Sequence, residues 1–75
     1  MEHIFKTQIA LDGSTTSYDV FFEGEDYVFH PLNNEAAPVL KLRREEDEWH
    51  TAPEMGEDVR SEAVRVLEEY LMRQH

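Results

Sequence analysis

Apolar residues recur along this chain at two different periods, and the point where one gives way to the other divides it in two. Up to about residue 51 they alternate with polar neighbours; from residue 57 they return every three or four positions. In the second segment Val59, Ala63, Val66, Leu67, Tyr70 and Leu71 share one face of a helix, while Arg60, Glu62, Arg65, Glu69 and Arg73 face away. Glu57 and Asp58 stand at the positive end of the helix dipole and Arg73 near its negative end. A helix over residues 57–73 follows.

The first segment reads as strands. Phe5, Thr7, Ile9 and Leu11 share one parity, and Lys6 and Gln8 take the other, which predicts a half-buried strand over residues 3–11. DGSTTS, residues 12–17, carries turn chemistry, and a second strand is expected over 18–23. In FFEGEDYVF, Gly24 and Glu25 suit the two central positions of a type II′ hairpin. That register opposes Glu23 to Asp26, Phe22 to Tyr27, Phe21 to Val28, Val20 to Phe29 and Asp19 to His30. The third strand, 26–31, ends at Pro31, which has no N–H for a ladder. After the loop LNNEAAP, a fourth strand is expected over 39–44, and EEDE returns the chain into a fifth over 48–51, with Leu42 facing Trp49.

Strands followed by one amphipathic helix specify an α+β domain: an antiparallel four- or five-stranded meander sheet with the C-terminal helix packed on one face, β-β-β-β-β-α. Its expected core is Phe5, Ile9, Leu11, Tyr18, Val20, Phe22, Phe29, Leu40, Leu42 and Trp49 against the helix. The 75 residues make a single domain. A chain this short buries only roughly 60% of its unfolded surface, which leaves little room for a deep cleft.

The side-chain inventory narrows the chemistry. Seventeen Asp and Glu against seven Lys and Arg give a formal charge of -10, so nucleic-acid phosphates are repelled at long range and direct nucleic-acid binding is not expected. Cysteine is missing from the sequence, which excludes disulfides, zinc–thiolate sites and thiol nucleophiles. The opening MEHIFKTQIA lacks the pattern of a signal peptide, and no apolar run approaches the roughly 20 residues of a membrane span. A cytoplasmic protein with no membrane contact is expected.

His3, His30, His50 and His75 show no metal-ligand spacing, and His30 is more simply a cross-strand partner of Asp19. Ser14, Thr15, Thr16 and Ser17 lie in no nucleophile motif, and Gly13, Gly24 and Gly56 are scattered singly. No catalytic residue, metal ligand or cofactor site is therefore assigned, and an enzyme is not expected.

Two surfaces remain. Alternate turns of a meander lie at one end of the sheet, which gathers Glu23, Glu25, Asp26, Glu45, Glu46, Asp47 and Glu48 into an acidic patch. Such a patch suits a basic protein; a hard cation could sit there loosely, although the EF-hand spacing is missing. On the face opposite the helix, parity aligns Ile4, Phe21, Val28 and Val39 into an apolar stripe beside His30, with a mixed-charge rim like that of a modest protein interface. The expected function is a non-catalytic protein-interaction module that uses this open face for a homodimer or a protein partner. The alternative is an acidic decoy or regulator that occupies the basic surface of a nucleic-acid-binding protein.

Overall fold

The computed structural model describes residues 2–11, 13–32, 37–52 and 55–73, with Leu11 by its backbone alone. Five strands, β1 (Glu2–Leu11), β2 (Ser14–Glu23), β3 (Asp26–Pro31), β4 (Leu40–Glu45) and β5 (Glu48–Ala52), precede one helix, α1 (Glu57–Arg73). They form one antiparallel sheet in the order β1-β2-β3-β4-β5, each strand beside its neighbour in the chain. This is the α+β meander that the switch in hydrophobic period predicts. The side chain of Leu11, expected in the core, and His75 lie outside the described residues.

The β2–β3 hairpin has the predicted register, from Tyr18 opposite Pro31 to Glu23 opposite Asp26. Gly24 takes φ +64°, as the first central position of a II′ turn requires, and Glu25 is not among the residues with positive φ. The other two hairpins differ from expectation. Leu11 pairs with Ser14, so Asp12 and Gly13 alone connect β1 to β2, and β2 begins four residues before the expected Tyr18. Asp-Gly is a strong two-residue hairpin signal, and the β-branched Thr15 and Thr16 fit a strand better than a loop. In β4–β5, Glu45 pairs with Glu48 around Glu46 and Asp47, which adopt φ 50° and 67°. Both central residues are left-handed, as in a type I′ turn, whose twist matches the strands. The turn is centred one residue beyond expectation, so Leu42 faces Thr51 and Trp49 faces Arg44 instead of one another.

One face of the sheet is sealed by the helix. Ile9, Tyr18, Val20, Phe29, Leu40 and Leu42 pack with Ala63, Val66 and Leu67 into a single core. Burying side chains of this size contributes roughly 1.5 to 3 kcal/mol each. The helix crosses the strands: near its start Arg60 Nη2 donates to the Trp49 carbonyl in β5 at 3.1 Å, and near its end Tyr70 stacks on Phe5 in β1 with ring centroids 4.6 Å apart. Phe5, Trp49, Val59, Tyr70 and Leu71 are half-buried at the margin of this cover.

Tyr18 is fully buried, and its hydroxyl donates to the Pro38 carbonyl at 3.0 Å, which ties the loop before β4 to β2. Burial pushes its phenol above the ordinary value of 10.0. The folded state thus favours the neutral form. Its contribution is complete below the unfolded value and is lost as pH rises through the higher folded one. Denaturation midpoints measured between about pH 8 and 12 should fall more steeply for the native protein than for Tyr18→Phe. Parallel curves for the two would contradict this.

Candidate functional site

The make-up of the open face depends on a bulge near the start of β1. The register slips between His3, opposite Phe21, and Phe5, opposite Val20, so Ile4 is an extra residue in the strand. His3 thereby joins the open face, and Ile4 packs against the core. The expected stripe loses its Ile4 end. Its centre is closed as well: Val28, between Phe21 and Lys41 in the register, is only 3% exposed although no helix covers that side. Phe21 is held edge-on between two imidazoles, His3 at 5.2 Å and His30 at 5.3 Å between centroids. Val39 is exposed and precedes β4 instead of belonging to it.

Asp19 lies opposite His30, as predicted, but its carboxylate is engaged elsewhere. His3 Nε2 lies 3.0 Å from Asp19 Oδ1, and an ionised carboxylate only accepts, so the imidazole N–H donates. On the open face, therefore, Phe21 is flanked by His3 and His30, and Val28 is buried. Both lysines of the chain, Lys6 and Lys41, are exposed on this face.

Three residues of the expected acidic patch, Glu25, Asp26 and Glu45, surround Arg43. Its Nε donates to Asp26 Oδ1 at 2.8 Å, and its Nη1 lies 3.7 Å from Glu25 and 3.6 Å from Glu45. One guanidinium thus joins the tip of the β2–β3 hairpin to β4. The hydrogen bond to Asp26 and the surrounding carboxylates push the Arg43 guanidinium up from its ordinary value. The like charges of Glu23 and Asp26, opposed in the register, are relieved by this internal cation without any change in loop length. Arg44 reaches Asp47 at 3.6 Å. Among the described residues no three His, Asp or Glu side chains converge to hold a metal ion.

On the helix side of this acidic end lies a groove that parity alone does not reveal. Phe22, expected in the core, is 37% exposed, because the helix crosses the sheet without covering this corner; its last turn, with Leu71 and Met72, borders Arg44 instead. Phe22 and Tyr27 pack 4.9 Å apart between centroids, and Tyr27 leads on to Trp49 at 5.9 Å. Phe22 and Tyr27, together with Glu25, Arg44, Glu45 and Glu46, line an open cavity of about 540 Å³ between the two tips. Arg44 also holds its guanidinium 5.9 Å above the Trp49 ring. The groove combines the exposed Phe22 ring and the half-buried Tyr27 with three carboxylates, of which Glu25 and Glu45 are shared with Arg43 on the other face and Glu46 is not, which is the chemistry of cation recognition. Its signal in the sequence is that Phe22 and Tyr27 are the large apolar residues immediately before and after the turn EGED, where a helix on the sheet centre leaves them uncovered.

Among the described residues no helix is long and apolar enough to cross a membrane. Comparison of the chain with protein-family models, with curated proteins and with solved structures gives no match.

Proposed function

We propose that this chain is a non-catalytic protein-interaction module that docks onto a basic protein surface through the groove between its two acidic hairpin tips. The observation that carries this reading is the exposed Phe22 beside Tyr27, flanked by Glu25, Glu45 and Glu46 in one cavity. Carboxylates alone at hairpin tips would be an ordinary solvated rim. An exposed aromatic floor between them gives a partner's arginine a surface to stack on while its guanidinium meets the carboxylates, and Arg44 over Trp49 does the same within the molecule. The formal charge of -10 adds long-range attraction for a basic partner. A surface that ordinarily binds nucleic-acid phosphates fits this description, so docking there would compete with nucleic acid. The open sheet face is the weaker candidate, because Val28 is already covered and Ile4 points to the core.

A nona-arginine peptide titrated calorimetrically into the protein tests the reading. Phe22→Ser, and separately Glu45→Gln with Glu46→Gln, should each weaken binding about tenfold, equal to about 1.4 kcal/mol. A charge-matched control at the helix start, Glu57→Gln with Asp58→Asn, should change it much less. Binding by Phe22→Ser equal to the native protein would mean that the peptide is held by diffuse charge, and the groove would be abandoned.

A further inference from the structure

The second surface is an edge. β1 is the first strand of the sheet, so its outer side presents unpaired backbone N–H and C=O groups along ten residues. Nothing else in the described chain bonds to it: outside the helix and the ladders, the backbone hydrogen bonds join Leu32 to Ser17 and Arg60 to Gly56. Folded proteins usually blunt such edges by keeping them short or charged. The opposite edge, β5, is blunted in this way, with five residues that begin at Glu48. β1 has a bulge between His3 and Phe5, which leaves a regular run from Phe5 to Leu11. Lys6 is the one charged residue in that run.

We infer that two copies of this chain pair along β1, antiparallel about a two-fold axis at Gln8, to make one continuous sheet. Charge selects a second copy over any other strand-forming partner. The chain holds 17 carboxylates, yet residues 3–11 contain none, so β1 is where two acidic molecules can approach without opposing Asp or Glu. An antiparallel pair also sends the two sets of hairpin tips to opposite ends of the dimer. With Gln8 at the axis, Gln8 meets Gln8, Thr7 meets Ile9 and Lys6 meets Ala10, so the lysines never oppose each other. Each pair has one parity, which keeps both helices on one face. The helix reaches β1 at Phe5, where Tyr70 stacks. The second copy's helix end then lies beside Leu11, six residues along the strand or roughly 20 Å away, and the two do not collide.

The absence of cysteine from the sequence makes cross-linking a clean test. Residues opposed across an antiparallel pair have Cα atoms roughly 4.5 to 5.5 Å apart, within the range a disulfide spans. Gln8→Cys should therefore oxidise to a covalent dimer at least about tenfold faster than the exposed Lys41→Cys, because pairing raises the local thiol concentration. Lys6→Cys alone should stay slow, and Lys6→Cys with Ala10→Cys should cross-link. The untagged native protein should show a mass by light scattering that rises with concentration, and more readily at high salt, where the repulsion between two acidic copies is screened. A native protein that stays monomeric at every concentration and salt overturns the inference. So does Gln8→Cys cross-linking no faster than Lys41→Cys, and rapid cross-linking of Lys6→Cys alone overturns the register. Groove docking weakens with salt, so the two surfaces respond with opposite sign and fail independently.

Discussion

Phe29→Ala is expected to lower the unfolding free energy by about 3 to 5 kcal/mol, the range for deleting a buried aromatic ring. Phe29 is fully buried at the centre of β3, edge-on to Tyr18 and opposite both Val20 and Leu40. Its removal takes contacts from both neighbouring strands, β2 and β4, and the surrounding backbone is too well paired to collapse into the space. At roughly 0.05 to 0.15 kcal/mol per residue, a domain of this length has a total of only about 4 to 11 kcal/mol. The loss is thus a large share of the total, and the urea midpoint of the variant followed by circular dichroism should fall far below the native one. A urea midpoint within experimental error of the native value would place the core elsewhere.

The second large effect has the opposite sign. Glu46 and Asp47 hold φ 50° and 67°, a region that costs an L-residue roughly 1 to 2 kcal/mol and that Asn and Gly enter more easily. The same turn brings Glu45 and Glu48 face to face. Replacing the central pair by Asn-Gly, as Glu46→Asn with Asp47→Gly, should raise the unfolding free energy by about 1 to 2 kcal/mol, because both backbone strain and local charge repulsion fall. The added freedom of glycine in the unfolded chain offsets part of that gain. An unchanged or lowered urea midpoint would mean that the strain is relieved by neighbours. Glu46 also lines the groove, so the stabilised variant should bind the arginine peptide less tightly.

Much of this architecture is legible from period and turn chemistry. The helix bounds and the β2–β3 register can be read directly, because a 3.6-residue period and a Gly-led two-residue turn each admit few alternatives. The β4–β5 register is harder: EEDE contains no glycine, and several centres satisfy the same alternation. The bulge is invisible for a different reason. His3, Ile4 and Phe5 are all compatible with either face, and only contact with Phe21 and the core decides between them. Phe22 shows the limit of parity as a guide to burial, since parity assigns a side chain to the helix face but does not say how far the helix extends over it. The acidic patch could be foreseen from topology. Parity already puts Arg43 on the open face near these carboxylates, but that its guanidinium meets Glu25, Asp26 and Glu45 at once depends on side-chain conformation, which parity does not set.

The crossing of the helix from β5 to β1 has a consequence for how the chain is made. All four strand pairings join neighbours in sequence, so hairpins can close one after another as the chain leaves the ribosome, with little loop entropy to overcome. The element that covers Ile9, Val20, Phe29 and Leu40 comes after every strand. At roughly 5 to 20 residues per second, the apolar side of the nascent sheet waits about one to three seconds for the helix to be synthesised. During that interval the face opposite the future open surface is bare, and only the arrival of Ala63, Val66 and Leu67 closes it.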